Sequence, residues 1–529
     1  MQDASLSDGK GLFVLEIISN STNRDDMFAS ISIWSDTEKK VYYAESEEAM
    51  DPDNSEMKST AYFVATLPEG KYWIDSGVSH ESHRTYSRTL TIPTHDILGS
   101  FQIVNGEVTD LGTVAYLPAP KGEDVNSSPF RLMQFDGKHQ FEETFSHKYP
   151  KLYAQTKNRP VHRWDALQPF LVNKFVRSYI KKNTHQINKF IESSDGEIFV
   201  GGRFGQILRR TVDGAWVSLD TGSTREIMDV DKSSRNDIYA MGESIVLVSR
   251  DDGRTWQGLP LPTPPGPFMD ILVSPDDELL LLVRTARTFI YSKYTVFQYD
   301  QHAGDWNEKY TLLSGVGSSK VKVPVDVASG FFPDLRYAIN GEHFAISNGE
   351  MKQQSGGMSL NKPKYLYDGT LSNVSDMHTE ASGNAEDIKV GKVVNQVGVS
   401  FYDYRKGKRD YVCHWPRLGG YYTRDSVFLN RDQGWVLVSK KISLAGAVKK
   451  TMLFFTNDGG KTWENMKEMP GLGGMSNLFA SSSGVLFVQE ASTSGNIYSS
   501  RDFGKTWTTE RTTHTLQELL DAIQKRSGK

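Results

Sequence analysis

One octapeptide recurs three times in this chain, and it restricts the fold more than any other feature of the sequence. It reads Ser249-Arg-Asp251-Asp-Gly253-Arg-Thr255-Trp256, then Thr456-Asn-Asp458-Gly-Gly460-Lys-Thr462-Trp463, then Ser500-Arg-Asp502-Phe-Gly504-Lys-Thr506-Trp507. Every copy fits Ser/Thr-x-Asp-x-Gly-x-Thr-Trp and follows an apolar run (Ile245–Val248, Met452–Phe455, and a shorter Ile497-Tyr498). Asp and Ser/Thr side chains bond nearby backbone groups and so replace ladder bonds lost at a tight turn. Gly supplies a backbone angle that other residues adopt only at a cost. The closing Trp starts the next strand and buries a large ring. Such a unit staples a β-hairpin, and five fixed positions matched three times are not chance.

The octapeptides resemble the Asp-box, or BNR repeat, of the sialidase and sortilin-like propeller superfamily, which also holds xyloglucanases and photosystem assembly factors. In that group the box joins the two outer strands of a propeller blade. The resemblance therefore implies a β-propeller in which Ser249, Asp251, Gly253, Trp256, Thr456, Asp458, Gly460, Trp463, Ser500, Asp502, Gly504 and Trp507 are structural, away from the ligand face. Two imperfect copies extend the pattern: Thr211-Val-Asp213-Gly214-Ala-Trp216, which has lost residues, and Asp300-Gln-His-Ala-Gly304-Asp-Trp306, which has gained some. Successive Asp positions lie 38, 49 and 44 residues apart where neighbours are marked, and 158 residues separate Asp300 from Asp458. Blades of about 40–50 residues then give seven in all, or six if Gly369–Gly420 is one long insertion.

Ahead of the repeats, residues 11–118 read as a half-buried sheet, with Met27, Ala29, Ile31 and Ile33 on one face and Phe28, Ser30, Ser32 and Trp34 on the other. The turn strings Leu67-Pro-Glu-Gly70-Lys-Tyr72 and Val104-Asn-Gly106, with Leu111-Gly112, resemble the small prealbumin-like sandwiches of bacterial envelope lipoproteins. Ala166–Ile180 has helical apolar spacing, and Thr515-Leu-Gln-Glu518 is a capping box before an amphipathic C-terminal helix. The expected fold is all-β: a β-sandwich over 1–119, a partly helical connector over 120–184, the propeller over 185–512 and a short helix over 513–529.

Composition removes several function classes. The net charge is −5, without the basic footprint that nucleic acid requires. The one cysteine, Cys413, excludes an intramolecular disulfide and any Cys-rich zinc site. The longest apolar runs, Gly11–Ile18 (broken by Glu16) and Leu279–Val283, fall far short of the roughly 20 residues that span a bilayer. No signal peptide is visible at Met1. With the lipoprotein resemblance, the expectation is an extracytoplasmic protein, periplasmic or envelope-anchored, whose leader is missing here; a lipid anchor on the native protein is left open.

Catalytic signals are thin. The arginine signature of sialidases has no match before the first box; Phe130-Arg131-Leu132-Met133 and Asn158-Arg159-Pro160-Val161 do not fit. Asp276 and Asp277 read as solvated turn residues, and no carboxylate pair is fixed at the separation that sugar hydrolysis needs. His80 and His83 lie three apart in a loop-like string, and Asp51-Pro-Asp53-Asn-Ser55 lacks the later positions of a calcium loop. No metal and no cofactor is expected. Gly201-Gly-Arg-Phe-Gly205 reads as a strand and turn.

The segment Tyr402–Tyr422 mixes aromatics with arginines, the composition of interface anchors. Its candidate binding residues are Tyr404, Arg405, Arg409, Tyr411, His414, Trp415 and Arg417, weighed against a plain outer hairpin packing on its neighbours. The expected function is a non-catalytic, protein-binding propeller of the cell envelope: assembly factor, receptor-like module or toxin inhibitor. The alternative is a carbohydrate-active enzyme working at the central pocket.

Overall fold

A computed structural model describes residues 6, 8–19, 28–46, 60–82, 87–94, 98–116, 132–135 and 149–165 of the N-terminal part. Beyond these it describes 187–193, 195–223, 225–242, 245–264, 266, 268–274, 276–287, 292–314, 343–347, 350–354, 364–365, 371–377, 396–403, 408–412, 421–441, 448–466, 477–489 and 496–511. The two expected helices at 166–180 and 513–529 lie outside the described residues.

The N-terminal part is a sandwich of two sheets. In one, Lys10–Ser19 lies between Thr60–Pro68 and Val108–Tyr116; the far edge of the last strand pairs with Val161–His162 and with Leu132–Phe135. In the other, Ser30–Ser35 lies between Lys40–Glu45 and Gly70–Ser82, whose outer edge holds Ser87–Pro93 and Ser100–Ile103. Phe13, Leu15, Ile17, Phe63, Ile31, Ile33, Tyr72, Ile74 and Phe101 fill the space between the sheets. Each such side chain contributes about 1.5–3 kcal/mol by leaving water. Phe28 joins this core rather than the opposite face, because it precedes the strand and strand alternation does not govern it. Its ring lies on the backbone of Gly77, where a Cβ would come within 2.5 Å.

The segment expected as a connector takes part in the sandwich. Besides its two short strands it supplies the helix Pro150–Thr156, started by Pro150 in the first turn, and Trp164, which closes the core edge-on to Phe101. Leu152 and Tyr149 cover Leu12 and Val14 on the outer face of the first sheet. That face is buried too, which is why Leu12–Ile18 is nearly continuous in apolar residues instead of alternating.

From residue 187 the described residues form seven successive antiparallel sheets. Six are four-stranded meanders, spanning Ile187–Asp220, Ile227–Gly258, Phe268–Ser314, Lys364–Val412, Tyr421–Met466 and Asn477–Arg511. The fourth in order is described over two strands, His343–Ser347 and Glu350–Gln354. Leu371–Met377, Gln396–Asp403 and Lys408–Val412, which fall within Gly369–Gly420, therefore belong to a blade of their own, which favours seven blades over six.

These sheets form a ring. Phe190, Ile198, Val200 and Leu208 of the first pack on Val485, Phe487 and Ile497 of the last. Phe199, Ile207 and Leu219 pack on the second sheet, whose Tyr239, Met241, Val246 and Val248 pack on the third; the sixth and seventh share another cluster. Sheets covered on both faces need unbroken apolar strands, and Ile198–Gly202, Ile238–Gly242 and Ile245–Ser249 are buried at every position. Polar ties also close the ring: Arg210 pairs with Glu510 at 3.1 Å, and Glu510 accepts from Trp216 Nε1. The ring with its meander sheets makes this part a β-propeller.

The three octapeptides occupy the turn between third and fourth strands of the second, sixth and seventh blades. In the second, the Gly253 N–H donates to Ser249 Oγ at 2.8 Å. The Thr255 N–H and hydroxyl donate to the two carboxylate oxygens of Asp251 at 2.8 and 2.6 Å. The other copies repeat these bonds through Thr456, Asp458, Gly460 and Thr462, and through Ser500, Asp502, Gly504 and Thr506. Two successive left-handed residues turn the chain, as at Asp252 and Gly253 (φ +63° and +81°). A Cβ on Gly253 would meet Leu219 of the preceding blade at 2.8 Å, and one on Gly504 would meet Leu453 at 2.8 Å. Each turn is thus pressed against its neighbour as well as closed on itself.

A second staple recurs between first and second strands. At Ser193, Ser233, Ser274 and Ser481 the serine N–H donates to the carbonyl four residues on, and the residue three positions on donates back. That residue is left-handed each time: Gly196 (φ +82°), Asn236 (+68°), Asp277 (+60°) and Gly484 (+81°). Thr211–Ala215 folds the same way, with Thr211 N–H donating to Ala215 O at 2.9 Å, so this imperfect copy is a different turn and not a shortened octapeptide.

Candidate functional site

Two charged clusters lie at opposite ends of the ring. In a meander, turns between first and second and between third and fourth strands share one end, and the blade-to-blade links share the other.

At the link end, Arg225 sits in the connection between the first and second blades and reaches the sandwich. Its guanidinium pairs with Glu16 at 3.2 Å, both side chains being 1% exposed, and lies 4.3 Å from the Tyr62 ring centre. Tyr62 donates to one Glu16 oxygen at 2.7 Å, and Thr113 donates to the other at 2.5 Å. Thr113 reaches Glu16 because the strand slips register there: Val14 faces Asp110, whereas Glu16 faces Thr113, with the left-handed Gly112 (φ +70°) in the bulge. The carboxylate is thus met by one cation and two hydroxyls, the satisfaction that a buried charge requires. Such a cluster can hold two domains together.

At the octapeptide end, Arg209 binds Glu197 and reaches Asp252 of the next blade's octapeptide at 2.5 Å. Lys232 of the second blade binds Asp195 and Glu197 of the first at 2.6 and 2.9 Å. Asp277 of the third blade accepts from the Ser234 N–H of the second, and Glu192 accepts from the Ser482 N–H of the last at 2.6 Å. Burial opposes ionisation of Asp195, but bonds from Lys232 and Ser193 outweigh it and keep the carboxyl below the ordinary range. Bonds from Ser234 do the same for Asp277.

Of the residues expected to bind a partner, Arg409 and Tyr411 fall on Lys408–Val412, the outermost strand of the fifth blade, opposite Tyr402 and Ser400. Being two apart, they share one face of an edge strand. Tyr404, Arg405, His414, Trp415 and Arg417 lie outside the described residues, as do Asp51–Ser55 and His83. His80 falls on Gly70–Ser82. Among the described residues no group of three His, Cys, Asp or Glu is placed to hold a metal, and no helix is long and apolar enough to cross a membrane. Sequence reasoning missed Arg225 and its cluster. Its one trace was the charge of Glu16 inside an otherwise apolar strand.

No protein family and no curated protein sequence matches this chain. Among solved structures it is similar to "YCF48 bound to D1 peptide", at 13% identity over 58% of this chain and 89% of that one, with a TM-score of 0.37. The "Dos1 propeller" is similar at 10% identity over 64% and 85%, with a TM-score of 0.36. A puromycin hydrolase is similar at 9% identity over 64% and 55%, with a TM-score of 0.39. The assignment as a propeller stands on the chain's own sheets.

Proposed function

We propose that this chain is a non-catalytic, protein-binding propeller of the Asp-box kind, held in the bacterial cell envelope and oriented there by its sandwich. The observation that carries the reading is the use of charge: in the ring, Arg209, Arg210, Lys232, Glu192, Glu197, Asp277 and Glu510 are engaged in ties within and between blades. A general acid for glycoside hydrolysis needs a carboxyl raised toward neutrality. Asp195, Asp251, Asp277, Asp300 and Glu510 are instead lowered. A ring tied in this way offers a rigid face, and Arg409 with Tyr411 on an outermost strand supplies the residue types of an interface anchor.

The test is cross-linking in envelope extracts paired with a panel of fluorogenic glycosides. The reading expects one defined protein captured by the full chain, at least tenfold less captured by the R409E/Y411A variant, and no turnover of any glycoside. Turnover, or capture indifferent to that variant, overturns it.

A further inference from the structure

The outer face of the second sandwich sheet carries an aromatic patch that the reading of the ring does not use. Ile31, Ile33, Tyr72 and Ile74 point into the core, so strand alternation sends Trp34 and Trp73 outward. Trp34 stands directly opposite Trp73 on one side and Val41 on the other. Tyr43, two residues beyond Val41, is 70% exposed, the highest value for a large apolar side chain among the described residues. The patch crosses three strands, about 10 Å at the usual interstrand spacing.

Both indoles are fixed by one carboxylate. Trp34 Nε1 donates to Asp36 Oδ1 at 3.2 Å, and Trp73 Nε1 donates to Asp36 Oδ2 at 2.9 Å. Asp36 starts a hairpin turn that is itself pinned, its N–H donating to Lys71 O at 2.9 Å and Thr37 Oγ1 accepting from the Lys71 N–H. With their N–H groups already bonded, the half-exposed indoles present carbon to solvent. Polar groups of both signs surround them. The Lys71 amine lies 5.5 Å from the Trp73 ring centre, and Ser32 bonds both Asp75 and Ser76.

We propose that this face binds a neutral polysaccharide, its pyranose rings lying on Trp34, Trp73 and Tyr43 and its hydroxyls reaching the polar rim. A pyranose has a carbon-bound face and a hydroxylated edge, and this patch offers the complement of both: fixed aromatic carbon inside, donors and acceptors outside. The rings are held before any ligand arrives, which lowers the ordering cost of binding. A protein-binding core is depleted of charge, whereas Asp36 and Lys71 stand among these rings. The carboxylates here are paired, Asp36 with Lys39 at 3.8 Å and Glu38 with Lys40 at 2.5 Å, so the rim presents no unbalanced charge to draw a polyanion.

The test is affinity electrophoresis of the full chain in gels containing hydroxyethylcellulose or laminarin, with tryptophan fluorescence titration for Kd. Retardation in at least one gel is expected, weakened at least tenfold by W34A/W73A and severalfold by Y43A, with melting temperatures near that of the parent. The W34F/W73F variant, which keeps a smaller aromatic ring and loses the N–H, retains more of the binding than W34A/W73A. The ring variant R409E/Y411A binds glucan normally, so this proposal and the reading of the ring fail separately. No retardation in either gel, or retardation unchanged in W34A/W73A, overturns it, as does a concentration-dependent dimer abolished by Y43A.

Discussion

In the ring, neighbouring sheets meet through the same parts used again and again; in the sandwich, each contact is made once. The octapeptide at Ser500 closes its own hairpin with the bonds used at Ser249 and Thr456, and the serine turns at Ser193, Ser233, Ser274 and Ser481 repeat a second pattern. Among the described residues the sandwich shows no such repetition: Trp164 closes one end, Phe28 lies on Gly77, and Glu16 meets Arg225. Repetition spreads the consequence of losing any one part over many equivalent parts. A unique contact concentrates it.

The largest expected effect follows from that concentration. Arg225→Ala removes the cation and leaves Glu16 buried, which costs about 3–5 kcal/mol. Chemical denaturation read by circular dichroism will show it, with the sandwich unfolding ahead of the ring. Adding Glu16→Gln to the same chain recovers much of the loss, because the uncompensated charge is gone, and the double-mutant cycle then yields a strong coupling. A loss below about 1 kcal/mol would mean that the pair behaves like a surface salt bridge, and the contrast between single and repeated contacts would break here.

A middling effect separates backbone angle from packing. Gly504 and Gly106 are both left-handed, at φ +96° and +73°. A Cβ on Gly504 meets Leu453 at 2.8 Å, whereas one on Gly106 meets nothing within 4 Å. Gly106→Ala therefore costs only the angle, about 1–2 kcal/mol. Gly504→Ala adds displacement of Leu453 and costs about 1–3 kcal/mol more. Thermal melts of the two variants check this. Equal losses would mean that the octapeptide turn is only a turn and does not rivet one blade to the next.

The same contrast explains what could be read in the sequence. The octapeptides announced a propeller because each is complete within eight residues, so their chemistry is local. The serine turns were as local, and Ser193-Ser-Asp-Gly196 aligned with Ser481-Ser-Ser-Gly484 marks the first and last blades; without a Trp or an invariant Asp, their repetition was overlooked. Thr211–Ala215 was misread for a related reason, since an Asp and a Gly before a Trp also suit the shorter turn. Alternation failed at Phe28, which lies just outside its strand. The cluster at Glu16 was beyond reach, because its cation arrives from a blade link far along the chain, and no local pattern encodes that meeting. The aromatic patch was half legible: Trp34 was placed on the face opposite Ile31 and Ile33, but its pairing with Trp73 depends on sheet register.

The smallest effect is one that repetition multiplies. The carboxyls of Asp251, Asp458 and Asp502 are held at about 2, against an ordinary 3.8. Bonds from Thr255 and Thr506 lead at the first and last; at Asp458 burial pushes upward and the bonds from Thr462 outweigh it. A carboxyl depressed in the folded state binds fewer protons there than in the unfolded chain. Its stabilising contribution is therefore whole above about pH 4 and is lost as pH falls through about 2. The three sites are almost fully solvated, so each contributes little, but they titrate in the same window and their losses add. In the sandwich Asp36 is lowered as well, first through its bond from Trp73, and Glu38 first through its bond from Lys40, each by a contact of its own. Melting temperature followed from pH 5 to pH 2 should fall less steeply in the triple variant Asp251→Asn, Asp458→Asn, Asp502→Asn than in the parent, and Asp36→Asn should flatten the same curve by a smaller amount. Parallel curves for parent and triple variant would show that the carboxylate bonds of the octapeptides do not stabilise the ring, leaving glycine geometry and tryptophan packing to hold the blades.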